Sequence, residues 1–212
     1  MGFYRNYILP RLVDWTCSSS GLKPWRDRVC ADLNGSVLEI GFGSGTNIEH
    51  YPSSVRRLYA VEPAALSRRL ARKRIEASSI PVTHVGLDGQ AIPLMDASCD
   101  SALCTFALCT IPDPVKALRE VYRILKPGGQ LHFLEHGIAP DASIAKWQRR
   151  LDGLERRLAD GCHLTRVPLA LVTAAGFEPL WDEQRYARGP KPWSYFTVAV
   201  ASKPTQASDE RI

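Results

Sequence analysis

The sequence predicts an α/β fold in which a mostly parallel sheet carries helices on both faces. Three observations predict it. Short apolar runs alternate with amphipathic segments along the chain, and the first of these runs ends in a glycine-rich turn. A nearly continuous apolar run, residues 99–106, is typical of a strand buried on both faces. The 212 residues suit one domain with one core.

The apolar runs predict seven strands. In chain order these cover residues 37–40, 57–61, 81–85, 99–106, 130–135, 177–181 and 196–201. A basic helix is expected after the second strand, and the glycine-rich turn is expected to open another. Asp113 and Pro114 supply a capping side chain and a proline in the first turn, so a further helix is expected to begin there. The Lys-Pro-Gly-Gly segment at residues 126–129 is expected to end it.

A longer helix is predicted between residues 141 and 160, because apolar side chains recur three and four residues apart. These are Ile144, Trp147, Leu151, Leu154 and Leu158. The pattern favours packing against the core of the domain, and a coiled-coil seam is the alternative.

The domain organisation is predicted as a helical lid in residues 1–35, one sheet-based domain in residues 36–201 and a disordered polar tail in residues 202–212. Residues 2–16 mix large apolar side chains with arginines, so a membrane-surface helix is the alternative to the lid. The arginines and Pro10 in this segment argue against a signal peptide or a spanning helix. The expected location is the cytoplasm, with a peripheral membrane contact as the alternative.

The cysteines and the charge balance exclude several classes of protein. The six cysteines, Cys17, Cys30, Cys99, Cys104, Cys109 and Cys162, form no Cys-x-x-Cys pair. This pattern predicts reduced, mostly buried thiols and neither a disulfide framework nor a metal site. The net charge of +5 comes with scattered arginines, so nucleic acid is not an expected partner.

The glycine-rich turn follows the first strand, with Gly41, Gly43 and Gly45 at alternate positions and Glu39 just before them. Such a turn lets a ligand approach bare backbone. A dinucleotide-binding fingerprint would place its third glycine or alanine at position 46, where this chain has threonine. The pattern instead resembles motif I of the class I methyltransferases that use S-adenosylmethionine (SAM).

Two carboxylates follow the next strands and are expected at the same edge of the sheet. Glu62 comes directly after the second strand and can accept hydrogen bonds from both ribose hydroxyls. Asp88 comes after the third and can accept from the adenine amino group, while the N–H of Gly89 donates to the ring. An Asp-Gly turn is the structural alternative for residues 88–89. Glu39 is expected at the methionine end of the cofactor.

Longer segments extend the resemblance. Residues 38–45, 88–93 and 113–129 are similar to class I methyltransferases of the ubiquinone and menaquinone biosynthesis group. Leu108-Cys109-Thr110-Ile111, Leu134-Glu135-His136-Gly137 and the segment 160–166 are similar to the animal alkyl thiol S-methyltransferases and their bacterial relatives, as is the start of the chain. The resemblance implies a Rossmann-like class I methyltransferase fold with a seven-stranded sheet and SAM as the cofactor.

The resemblance also implies the reaction and the site. It implies methyl transfer to a small apolar acceptor, with a thiol favoured; the alternatives are a quinone, a phospholipid headgroup, or a SAM-binding module without catalysis. The expected cofactor-binding residues are Glu39, Gly41, Gly43, Gly45, Asn47, Glu62, Asp88, Gly89 and Phe106. His136 and His163 are the candidates for a catalytic base or a partner of the thiolate, and a structural role through ring N–H bonds is the alternative.

Overall fold

The computed structural model describes residues 2–205, and the predicted tail lies outside this range from residue 206 onward. Within this range one sheet is built from β1 (Gly35–Ile40), β2 (Val55–Val61), β3 (Val82–Gly86), β4 (Cys99–Thr105), β5 (Leu125–His136), β6 (Glu178–Tyr186) and β7 (Tyr195–Ser202). The strand order is β3-β2-β1-β4-β5-β7-β6. The first five strands are parallel, and β7 is antiparallel to both of its neighbours. The predicted mostly parallel sheet is confirmed.

The helices cover both faces of this sheet. They are α1 (Leu9–Cys17), α2 (Lys23–Cys30), α3 (Ala65–Glu76), α4 (Pro114–Ile124), α5 (Ala142–Leu158), α6 (Pro168–Ala174) and α7 (Lys191–Ser194). One buried cluster joins the sheet to α4 and α6, and a second joins its other face to α2 and α3. As predicted, the Asp113 carboxylate accepts from the Lys116 N–H at 2.9 Å and caps α4.

The prediction that the glycine-rich turn opens a helix is wrong. Only a single 3-10 turn, Ile48–His50, follows the turn. Tyr51 is extended, with φ −71° and ψ 133°, because the ring of Pro52 disfavours helical backbone at the residue before it. The glycine loop is therefore followed by a short turn and an extended segment that leads into β2.

The predicted core packing of the α5 apolar stripe is also wrong. Trp147, Leu154 and Leu158 are each more than half exposed, whereas Ala145 and Gln148 are buried. The Gln148 side chain accepts from the Ala139 N–H at 2.8 Å and donates to the Gly137 carbonyl at 2.9 Å. Gln148 on the inward face of α5 thus satisfies backbone groups of the segment after β5. Of the predicted stripe, Trp147, Leu154 and Leu158 face outward, and Ile144 and Leu151 are half-buried.

The described helices also bear on membrane topology. No helix within residues 2–205 combines the length and the apolar composition that crossing a bilayer requires.

Candidate active site

The glycine loop and the loop after β4 are in direct contact at the carboxyl ends of the strands. Gly41 has φ +72°, and a Cβ at this position would lie 2.3 Å from the Cβ of Ala107. Only glycine combines this conformation with so close an approach. Phe106 just before Ala107 has φ +52°, which is uncommon for a residue with a side chain. The two loops therefore form one continuous ligand edge.

Glu62 lies at the end of β2 and is bonded to the glycine loop. Its Oε2 accepts from the Gly43 N–H at 2.8 Å, and its Oε1 accepts from the Ala64 N–H at 2.8 Å. Burial raises the pKa of Glu62, and these two N–H groups oppose that shift by stabilising the anion. Glu62 therefore lies at the glycine loop, and its contact with a ribose diol stays a prediction.

Glu39 lies beneath the loop and not at its surface. It is fully buried, its Oε1 accepts from Asn47 Nδ2 at 2.6 Å, and its Oε2 accepts from the Tyr51 hydroxyl. Burial raises the pKa of Glu39 to about 7 against the opposing effect of these hydrogen bonds. Glu39 therefore supports the loop through Asn47, and its direct contact with the cofactor stays a prediction.

Asp88 and Gly89 form the loop after β3. Asp88 is exposed, and its Oδ1 accepts from the Gln90 N–H at 2.8 Å in a side-chain-to-backbone turn. A Cβ at Gly89 would lie 3.1 Å from the Ile40 side chain, so this loop passes close to the end of β1. The loop is thus next to the glycine loop, and an adenine contact from Asp88 stays a prediction.

Arg26 lies beside the glycine loop and was not among the cofactor-binding residues predicted from the sequence. It lies on α2 with 3% exposure; its guanidinium donates to Asn47 Oδ1 and, at 3.1 Å, to the Cys17 carbonyl. The guanidinium is also 5.9 Å from the centre of the Phe106 ring. Its Nε has no hydrogen-bond partner within residues 2–205. A buried cation beside the glycine loop is suited to the carboxylate of the methionine part of SAM.

The N-terminal segment is joined to the glycine loop through α1. The Asp14 carboxylate accepts from Ser44 Oγ at 2.5 Å and from Arg74 of α3 at 3.0 Å. Arg74 also donates to the Ser44 carbonyl at 2.9 Å. This places α1 over the loop, where the predicted lid would lie.

His136 belongs to a cluster at the ends of β4 and β5, together with Cys109 and Cys162. Its Nε2 lies 3.2 Å from Cys162 Sγ, and the three ligand atoms of the cluster all lie within 4.8 Å of one another. Hydrogen bonding from the Cys109 thiol and from His136 lowers the pKa of Cys162 to about 5 against the effect of burial. Burial disfavours charge on His136, but its hydrogen bond to Cys162 raises its pKa overall.

His163 is placed apart from this sulfur–imidazole contact. Its ring Nδ1 lies 3.6 Å from Asp152 Oδ2, and its backbone N–H donates to the Cys109 carbonyl at 2.9 Å. Burial and the charge of Arg166 lower the pKa of His163. Of the two predicted catalytic histidines, His136 alone is in hydrogen-bond contact with a thiol of the cluster.

The sheet order, the glycine loop and the carboxylate after β2 define the class of Rossmann-like, SAM-dependent methyltransferases. Solved structures share this fold. A SAM-dependent methyltransferase from Methanosarcina mazei superposes with a TM-score of 0.66 at 19% identity, covering 84% of this chain and 97% of the other. A geranyl diphosphate methyltransferase in complex with SAM gives a TM-score of 0.69 at 11% identity, covering 85% and 84%.

Relatives identified by sequence similarity show which methyltransferase family the chain belongs to. The Methyltransferase domain family matches residues 38–133. Thiol S-methyltransferase TMT1B of Rattus norvegicus is 34% identical over 79% of this chain and 70% of its own length, and Thiol S-methyltransferase TMT1A of Homo sapiens is 31% identical over 74% and 65%. A demethylmenaquinone methyltransferase of Thermobifida fusca is 26% identical over 86% and 70%. The chain belongs to the SAM-dependent methyltransferase family that includes these thiol S-methyltransferases.

Proposed function

We propose that this SAM-dependent methyltransferase transfers its methyl group to the sulfur of a small apolar thiol. The observation that carries the proposal is the cluster at the ends of β4 and β5, where His136 Nε2 lies 3.2 Å from Cys162 Sγ, and where hydrogen bonds from the Cys109 thiol and from His136 lower the pKa of Cys162. The names of the rat and human relatives support the same acceptor class.

The reaction requires a thiolate aligned with the methyl group. The acceptor sulfur attacks the methyl carbon in line as the bond between this carbon and the sulfonium sulfur breaks. The electron pair of the broken bond stays on that sulfur, which becomes the thioether sulfur of S-adenosylhomocysteine (SAH). An aliphatic thiol is only a few per cent ionised near pH 7, so neighbouring positive charge raises the reactive fraction. Alignment at about 3 Å in a site that excludes water supplies most of the remaining rate enhancement.

Two basic side chains, His136 and Arg166, border this cluster. His136 ends β5, and its pKa is raised by its contact with Cys162. Arg166 donates to the Leu108 carbonyl and, at 2.8 Å, to the Ile111 carbonyl, so its charge is held against the loop after β4. Both groups favour the ionised form of a thiol in this place.

A side-by-side acceptor screen tests the proposal. Alkyl thiols, quinols and phosphatidylethanolamine are incubated with the protein and SAM, and SAH formation is measured for each acceptor. We expect turnover with alkyl thiols and none with their alcohol analogues. Turnover with a quinol or the phospholipid and none with thiols would replace the thiol proposal, and SAM binding without turnover on any acceptor would favour a non-catalytic module.

We further propose that residues 2–16 contact a membrane surface. Apolar side chains in this segment remain exposed although α1 is packed over the glycine loop: Phe3, Tyr7, Ile8, Leu12, Val13 and Trp15. The Tyr4 hydroxyl donates to the Leu158 carbonyl at 3.0 Å, so this exposed surface lies beside the outward apolar stripe of α5. Aromatic and leucine side chains mixed with arginines are typical of interfacial helices.

Vesicle binding tests this contact. The protein is sedimented with liposomes that contain anionic phospholipid, and the Phe3→Ser/Trp15→Ser variant should lose most of the bound fraction. Leu180→Ser on β6 is the control, because Leu180 is an exposed apolar residue in another part of the fold. Equal binding of all three proteins, or no binding of the unmodified chain, would reject the membrane contact.

A further inference from the structure

Three soft ligand atoms meet at the acceptor side of the sheet. Cys109 lies in the loop after β4, His136 ends β5, and Cys162 lies in the segment after α5. Cys162 Sγ is 3.2 Å from His136 Nε2, and Cys109 Sγ completes a group whose atoms all lie within 4.8 Å of one another. The two cysteines are buried and the histidine is half-buried.

We propose that Cys109, His136 and Cys162 bind a zinc ion through their two sulfur atoms and the Nε2 of the imidazole. Two thiolates and one imidazole form a ligand set that zinc favours over harder cations. A tetrahedral zinc ion, with Zn–S of about 2.3 Å and Zn–N of about 2.0 Å, holds such ligands roughly 3.5–3.8 Å apart. The three ligand atoms, which lie within 4.8 Å of one another, would reach this spacing by shifts of roughly 1 Å.

The backbone holds the ligands in place before a metal arrives. The His163 N–H donates to the Cys109 carbonyl at 2.9 Å, which joins the Cys162 segment directly to the Cys109 loop. Arg166 donates to the Leu108 and Ile111 carbonyls on either side of Cys109. These bonds tie together two of the three ligand-bearing segments, as supporting contacts do in metal sites.

The histidine ring is placed to bind through one nitrogen. Its Nε2 is directed at the Cys162 sulfur, 3.2 Å away. Without a metal, Cys162 accepts from the Cys109 thiol and contacts His136 Nε2 at 3.2 Å, and a bound metal ion would replace both contacts. A metal ion uses all three groups.

Three protein ligands leave the fourth position of a tetrahedral zinc ion open, which is typical of catalytic sites. The cluster lies at the carboxyl ends of β4 and β5, where the acceptor is expected. An acceptor thiol taking this position would release its proton to solvent and be held as a thiolate by the metal, which would replace the charge of His136 in that role. This role, unlike metal binding itself, rests on the proposed thiol acceptor.

Metal content gives the direct test. The full chain is purified under reducing conditions and equilibrated with zinc and then with a weak chelator, and its metal content is measured by plasma mass spectrometry. We expect about one zinc per chain in the unmodified protein, and a drop of roughly tenfold or more in Cys109→Ser and Cys162→Ser. Cys17→Ser is the control, because Cys17 lies on α1 outside the cluster, and it should retain the metal.

Cobalt gives a second readout that does not depend on activity. Cobalt in the unmodified chain should show the thiolate charge-transfer and tetrahedral absorption bands, and Cys162→Ser should lose the charge-transfer intensity. Binding of SAH, followed by thermal shift, shows that each variant is folded. No zinc above the Cys162→Ser level, or a Cys109–Cys162 disulfide formed in preference to metal binding, would overturn the proposal.

Zinc content and thiol methylation measured on the same samples distinguish a failure of the metal-site proposal from a failure of the thiol-acceptor proposal. Zinc bound at one per chain by a protein that does not methylate thiols would support the metal site and remove its proposed role. Thiol methylation at an unchanged rate by a protein that never binds zinc would overturn the site and leave the acceptor standing.

Discussion

Replacing Glu62 by glutamine should weaken cofactor binding more than any equally conservative change elsewhere on the sheet. The carboxylate of Glu62 accepts at 2.8 Å from the Gly43 N–H, so it lies at the glycine loop. The side chain is 7% exposed, and water replaces little of what the substitution removes. Glutamine keeps the shape but offers one acceptor oxygen and no charge to the two ribose hydroxyls.

The magnitude follows from the hydrogen bonds that change. A hydrogen bond to a charged group contributes about 1.5–3 kcal/mol. Losing one such bond and weakening the other gives about 2–4 kcal/mol. At about 1.4 kcal/mol per tenfold change, the dissociation constants of SAM and SAH should rise roughly 30- to 700-fold.

Isothermal titration calorimetry with SAM and SAH measures this effect. Glu178→Gln is the matched control, because Glu178 is exposed on β6 at the opposite edge of the sheet from β2 and β3. It should bind like the unmodified protein. An affinity of Glu62→Gln within about threefold of the unmodified protein would refute the reasoning that places the ribose at Glu62.

Three further predictions concern the loop and its supports. Arg26→Met should weaken SAM and SAH binding roughly 10- to 100-fold by calorimetry, because a charge-assisted bond is lost, and leave adenosine binding unchanged; equal losses for all three ligands would contradict a carboxylate contact. Glu39→Gln should remove a pH dependence measured by urea unfolding. Because the pKa of Glu39 is raised from 4.5 to about 7 in the folded protein, its protonated form stabilises the fold fully below pH 4.5, and this stabilisation is lost as the pH rises through about 7. The free energy of unfolding should fall by about 3 kcal/mol over this range in the unmodified protein, and the variant should lack this change. Gly41→Ala should lower the melting temperature and abolish the rise in melting temperature that SAH causes, because the new Cβ would clash with Ala107. Gly153→Ala on α5 is the control and should do neither, because a Cβ there meets nothing within 4 Å. An unchanged SAH-induced rise in Gly41→Ala would contradict the close loop contact.

The sheet and its ligand edge could be predicted because their signals are local. Each strand is an apolar run of its own, and each polar residue that follows a strand is placed by that strand alone. Glu62 follows β2 directly, so its position at the glycine loop was accessible from the sequence. The helix expected after the loop is replaced by a single 3-10 turn, although Pro52 carried the signal against helical backbone at Tyr51.

The remaining parts of the site depend on long-range contacts. Nothing in the sequence distinguishes Arg26 from the other arginines on amphipathic helices. It is buried only because α2 packs against the segment that contains Asn47. Cys109 and Cys162 come together because two loops far apart in the chain are joined by backbone bonds. The periodicity of α5 shows an apolar stripe but not which side of the helix faces the sheet. Gln148 decides this by bonding to the segment after β5.

A labelled single-turnover experiment tests the central claim most directly. The protein is mixed with a slight excess of an alkyl thiol and with SAM that carries deuterium in its transferable methyl group, and thioether and SAH are quantified by mass spectrometry. We expect labelled thioether and SAH in equal amounts, with all of the transferred deuterium in the methyl group on the acceptor sulfur. SAH formed without labelled thioether, or label recovered on an oxygen or nitrogen acceptor in preference to the thiol, would contradict it.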